Sequence, residues 1–201
     1  MEIIRFADLK PEPWRNGGGV TRQLASHPAA ASTQDGTWDW RVSIADVSKA
    51  GDFSAFPGME RVLTVVEGEL LLLSVDGAEH PLEKYRPFRF PGGASTHASL
   101  PTGDIRDLNV ITRAGRFKGF TSIIELSKKR AKPIFEGQLG ILLQGQATAA
   151  EGTGEPEALG RYDAVVGSDV GTPDVLGRGF LAVVSIDPVE DEPVEDEPGS
   201  E

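Results

Sequence analysis

Residues 38–45 read Trp-Asp-Trp-Arg-Val-Ser-Ile-Ala. Large apolar and mostly polar side chains alternate with a period of two, which fits a pleated strand and no helix. The alternation assigns Trp38, Trp40, Val42 and Ile44 to one face, and Asp39, Arg41, Ser43 and Ala45 to the other. The same grammar recurs. Residues 61–66 and 70–75 are strand-like runs joined by Glu67-Gly68-Glu69, and Asp76-Gly77 then signals a tight hairpin. Residues 107–113 form another strand, with Asp107, Asn109, Ile111 and Arg113 on one face.

A second set of strands follows at 120–126, 139–146, 164–166 and 179–186, separated by Gly and Asp turns. No amphipathic pattern longer than about two helical turns interrupts them. Many short strands with 24 Gly and 14 Pro between them predict an all-β sandwich or barrel. Two sets predict a duplicated barrel split near 114–119. The first unit spans 1–117. The second and smaller one spans 118–186 and is completed by N-terminal segments. The acidic, Pro-punctuated repeat in 187–201 is expected to be disordered.

The formal charge of −11 is mostly local to that tail. Eight of the 31 acidic residues lie from Asp187 onward, so 23 face 20 basic residues elsewhere, a net of −3. A nearly balanced body without a basic stripe argues against a nucleic-acid footprint. No apolar stretch approaches membrane-spanning length. The N-terminus lacks a signal-peptide layout, so a cytoplasmic protein is expected. Without cysteine there is no disulfide, thiolate metal site or cysteine nucleophile.

Three segments carry a resemblance. They are Pro13-Trp14-Arg15-Asn16-Gly17-Gly18-Gly19-Val20-Thr21-Arg22, then Trp40-Arg41-Val42-Ser43-Ile44-Ala45 continuing through 51–61, and Asp107-Leu108-Asn109-Val110 ending at Arg113. Together they resemble the HutD/Ves family of bicupins over residues 3–186. The resemblance implies two cupin-like double-stranded β-helix barrels in one chain. It also implies an association with histidine breakdown, by sensing or buffering urocanate or N-formylglutamate, and no established enzymatic activity. Family members often carry an acidic residue where Gly93 stands here, so no role for that carboxylate carries over.

Metal-binding cupins place His-x-His, then a Glu, then a Gly seven residues on. With Gly68 as that glycine, the Glu slot falls on Arg61 and the His slots near Ser54 and Phe56. No His lies between His27 and His80, so neither a metal nor another cofactor is expected. A guanidinium in a carboxylate slot reverses the sign of the site and matches a carboxylate bidentately. Arg61 is therefore the first candidate ligand-binding residue, with an internal salt bridge to Asp107 or Glu60 as the alternative. Arg41, Ser43, Asn109 and Arg113 line the same cavity if the Trp face packs between sheets. Asn16 and Arg22 join them from the first segment, whose glycines are read as a structural turn and whose Trp14 is read as a core or lid aromatic.

The function expected is a metal-free binding protein for a small carboxylate, with no nucleic-acid or membrane partner and a possible homodimer. Whether it is an enzyme stays open. The alternative is a metal-independent isomerase, hydrolase or lyase on a small acid, with Asp107 or His97 as acid–base. A third reading makes the acidic tail an interaction segment.

Overall fold

The computed structural model describes residues 1–28 and 38–190. Among these, the strands form three antiparallel sheets, and the one helical element is a short 3-10 turn at Phe6–Asp8. The six-stranded sheet has the order Glu12–Pro13, Gly19–His27, Trp40–Val47, Ile105–Arg113, Met59–Glu67 and Phe88–Pro91. A four-stranded sheet runs Gly51–Asp52, Thr96–Ser99, Leu70–Val75 and Ala78–Glu83. The seven-stranded sheet is built on Gln138–Glu151 and Pro173–Pro188, flanked by Phe117–Leu126 on one side and by Ala164–Val166 and then Glu2–Ile4 on the other. Lys132–Pro133 and Glu157–Leu159 add short edges to it.

Side-chain alternation explains how these sheets stack. In the six-stranded sheet Val42, Ile44, Val62, Leu108 and Val110 face Leu139, Ile141, Ala182 and Val184 of the seven-stranded sheet. The opposite-parity residues Ala45, Val47, Leu63 and Val65 face Leu71, Leu73, Leu82 and Ala98 of the four-stranded sheet. The six-stranded sheet is thus buried on both faces. The seven-stranded sheet covers a further core with its other face, including Ile134, Leu142, Val165, Leu181 and Val183. Polar ties fasten the two halves across the core between the six- and seven-stranded sheets: the Tyr162 hydroxyl donates to Glu67 at 2.8 Å, and Arg161 pairs with the same carboxylate at 3.3 Å.

Asp76-Gly77 does form a two-residue hairpin, with Val75 opposite Ala78 and both central residues at positive φ. Two strands run well past the bounds expected from sequence. The strand expected at 179–186 runs from Pro173 to Pro188, and the one at 139–146 runs from Gln138 to Glu151. Glycines sit inside these strands where two backbones approach closely. Gly145 opposes Gly179, with φ of 101° and 116°. A bulge between Leu142 and Gln144 lies just before this pair. Up to it, odd-numbered Leu139, Ile141 and Leu143 face the central core; beyond it, odd-numbered Ala147 and Ala149 face the other core. One extra residue inverts the facing of everything downstream.

The expected tail also starts too early, because Asp187 and Pro188 complete the last strand opposite Lys118 and Phe117. Residues 191–201 lie outside the described residues.

The Gly pair gives a stability prediction. A Cβ on Gly179 would overlap the Gln144 carbonyl, whereas a Cβ on Gly77 would meet open space. Both positions also carry positive-φ strain. Gly179→Ala is expected to destabilise by well over about 1 kcal/mol, and Gly77→Ala by only about that much. Urea unfolding of the two variants checks this; equal losses would refute the role of the close approach.

Candidate functional site

The inner face of the six-stranded sheet is apolar at one end and polar at the other. Register sets out the change row by row. Ile111 lies between Arg41 and Arg61, Asn109 between Ser43 and Leu63, and Asp107 between Ala45 and Val65. Two strand spacings separate Arg41 from Arg61, about 10 Å between backbones. Above these rows opens a cavity of about 680 Å3, walled by the Glu12–Asn16 segment, Thr21 and the 52–57 loop. That is the size of a small-molecule site.

Arg61 forms its floor. It is 5% exposed. One terminal nitrogen donates to the Asn109 side-chain carbonyl at 2.8 Å and the other to the Ser54 backbone carbonyl at 3.2 Å. The Phe53, Phe56 and Phe90 rings surround the guanidinium with centroids at 5.7, 5.7 and 5.1 Å. Its Nε–H has no acceptor among the described residues, and no carboxylate there lies within ion-pair distance. The two salt bridges considered from sequence are therefore absent: Glu60 pairs with Arg89, and Asp107 is reached only through Asn109, whose amide donates to it. Burial lowers the Arg61 pKa to about 10, with Asp107 opposing that fall and Arg41 adding to it.

Asp107 has no exposed surface, and its second oxygen has no hydrogen-bond partner. Burial between two apolar neighbours pushes its pKa up to about 7, Arg61 pulls it back, and Asp46 raises it further. Arg41 lies over the Trp38 ring at 5.6 Å, and burial lowers its pKa against the pull of Glu12.

Arg61, Arg41, Ser43, Asn109, Asn16 and Arg113 are brought together around the cavity. Asn16 contributes from the exposed rim, where its carbonyl accepts from the Gly18 N–H at 2.9 Å. Arg113 lines the wall but is tied to Asp39 at 2.8 Å and to the Trp38 carbonyl. Arg22 is not part of the site. Its neighbour Thr21 faces the cavity, so alternation turns Arg22 to the other face, where it pairs with Asp46 at 3.0 Å and covers Phe6. The facing of Trp38 also needs correction. It precedes the strand, which starts at Trp40, and it packs beside Met59 and Ile111 rather than with Trp40.

The sequence reading missed the phenylalanines around Arg61, because Phe53 and Phe56 belong to a loop and Phe90 to a neighbouring strand. The pattern Phe53-Ser54-Ala55-Phe56 just before the Arg61 strand was the available signal. Trp14 closes the upper wall, with its indole N–H donating to Thr21 at 2.8 Å and its ring edge-on to Phe53. Gly19 is structural, since a Cβ there would meet the Asp46 carbonyl at 2.5 Å and the Trp14 ring at 3.0 Å.

The donor set does not fit a metal. No group of three or more His, Asp or Glu side chains converges among the described residues. His97 lies at the surface, paired with Asp52 at 2.7 Å. A buried guanidinium stands where a cation would need electron-pair donors. What the arrangement can do is hold an anion: a desolvated, fork-shaped donor, held by its own hydrogen bonds, faces a water-accessible cavity.

Asp107 also makes stability depend on pH. Its folded pKa of about 7 exceeds the ordinary 3.8, so the folded state holds the proton more tightly. The stability from this group is complete below about pH 4 and is lost as pH rises through 7. Asp107→Asn keeps an acceptor for Asn109 and removes the titration. The variant's melting temperature relative to wild type is expected to climb by several degrees between pH 5 and pH 8. A constant difference across that range would refute the burial of an ionisable Asp107.

Comparison with known proteins agrees with this architecture. The HutD family profile matches residues 6–183. Protein Ves of Citrobacter koseri is 41% identical over 120 residues, which make up 59% of this chain and 61% of that protein. The match thus spans about three-fifths of that curated relative's length. The structure of HutD from Pseudomonas fluorescens SBW25 is similar at a TM-score of 0.73 and 28% identity, covering 94% of this chain and 99% of that one. A cupin 2 conserved barrel domain protein from Leptotrichia buccalis superposes at a TM-score of 0.57 with 8% identity, over 92% of this chain and 95% of that one. This last likeness concerns the fold alone, which is all-β and cupin-like. With the family profile spanning the cavity residues and nearly all of the described chain, this protein belongs to the HutD family.

Proposed function

We propose that the chain binds a small carboxylate in the cavity above Arg61, in the service of histidine utilisation, and that urocanate or N-formylglutamate is the ligand. The observation that carries this reading is a buried guanidinium that lacks a carboxylate partner among the described residues and opens onto a ligand-sized cavity. A buried charge left without a counter-charge is costly. A carboxylate seated on Arg61 would offset that cost, with each charge-assisted hydrogen bond contributing about 1.5–3 kcal/mol. Arg41 gives the opposite wall the same sign, which suits a ligand with two acceptor groups about 10 Å or less apart. The HutD name and the cupin-like fold support placing this binding in histidine catabolism rather than in a structural role. Two cupin-like units in one chain would accommodate the strand sets on either side of residues 114–116.

A second reading has its own observation. Asp107 is a buried acid lining the cavity with a pKa near 7, suited to moving a proton on a bound small acid without a metal. Turnover of urocanate or N-formylglutamate by wild type, lost in Asp107→Asn, would favour that reading over binding alone.

Thermal unfolding with added urocanate or N-formylglutamate tests the proposal. Ligand at a hundred times its dissociation constant is expected to stabilise by about 2.7 kcal/mol. That is a rise of about 5–10 °C for a chain of this size. Arg61→Met, which fits among three phenylalanines, is expected to melt no lower than wild type and to lose the shift. A well-folded wild type that shifts with neither compound would overturn the proposal, as would an Arg61→Met variant that shifts fully.

A further inference from the structure

The cavity floor is a relay and not an ion pair. Arg61 donates to the Asn109 carbonyl, and the Asn109 amide donates to one oxygen of Asp107. The other Asp107 oxygen has no partner, and the carboxyl group has no exposed surface. One primary amide therefore separates a cation and an acid that both lack direct counter-charges among the described residues. We propose that Asp107 takes up a proton as an anion seats on Arg61, so that ligand binding at this site is proton-coupled. This rests on the carboxylate-binding reading of the same cavity.

The argument is electrostatic. While Asp107 is ionised, its charge partly neutralises Arg61 across Asn109. An incoming carboxylate takes over that neutralisation and repels the ionised Asp107 through a medium with little water. The cheapest response is protonation, because the carboxyl sits between Ala45 and Val65 and the neutral form suits that setting. Protonation also leaves the Arg61 charge unshared for the ligand.

The other charged groups around the cavity do not supply this coupling. Arg41 and Arg113 are guanidinium groups and offer no carboxylate to take up a proton. Glu12, Arg15 and Asp52 lie nearer the rim, half-buried or exposed. Asp46, on the strand beside Asp107, is held on the opposite face by Arg22 and Arg106. His97 is engaged with Asp52 at the surface. Asp107 is the acid in this set whose burial already places its titration in the neutral range.

N-formylglutamate is the probe of choice, because its carboxylates stay ionised above about pH 6 and add no titration of their own. Calorimetric titrations at pH 8 in buffers of differing ionisation enthalpy count the protons exchanged. The expected result is net uptake approaching one proton, with affinity falling up to about tenfold per pH unit above pH 7. In Asp107→Asn both effects should vanish while binding persists. A wild-type carbon NMR titration gives a readout independent of any variant: the Asp107 carboxyl midpoint should rise when ligand is added. Binding with no proton uptake and flat affinity from pH 6 to 9 would overturn the coupling and leave the binding reading standing. An absence of binding at every pH would overturn both.

Discussion

Burial of the six-stranded sheet on both faces is the constraint on which the rest of the molecule depends. One set of alternate residues packs on the seven-stranded sheet and the other on the four-stranded sheet. A sheet covered in this way has no solvent side on which to place polar residues. Any polar side chain on it must find partners inside the protein or serve a purpose that offsets its desolvation. Most positions comply by being Val, Leu or Ile. The buried charges cluster at one end of one face, where Arg41, Arg61 and Asp107 lie beside Ser43 and Asn109.

That clustering also settles how the cation is stabilised. A direct Arg61–Asp107 ion pair would satisfy both groups and close the site to ligands. Asn109 keeps them apart while hydrogen bonding to each. Three aromatic faces supply further attraction, each about 0.5–2 kcal/mol depending on how dry the contact is. The protein thus tolerates a buried positive charge without cancelling it. Its geometry is also local to a few rows of one sheet, so the two halves of the chain need not move for the site to exist.

Much of this was legible in the sequence, for identifiable reasons. The strands at 40–47, 59–67 and 105–113 are long, and their alternation is strict because each face meets a different core. The facing of Arg41, Ser43, Asn109 and Asp107 followed from it. The tight turn at Asp76-Gly77 was legible because two positive φ values admit few residue types. Trp38 was misplaced just outside a strand end, where periodicity carries least information, and Arg22 because the Gly19–His27 strand that turns it away follows directly on a glycine-rich turn. The ring of Phe53, Phe56 and Phe90 was only half legible, because it is assembled from a loop and a strand that is not its neighbour in sequence. The long strand from Pro173 was cut short because Gly177 looks like a turn residue and serves instead as a point of close backbone contact.

The clasp around Arg61 has a consequence for how recognition is divided between enthalpy and entropy. A free arginine side chain samples many rotamers, and fixing one at an interface forfeits up to about 2 kcal/mol. Here Ser54, Asn109 and three rings fix the guanidinium before any ligand arrives. That ordering is charged to folding and not to association. The orientation of the fork then dictates the plane in which a carboxylate must lie, so selectivity resides in the angle of approach as much as in charge.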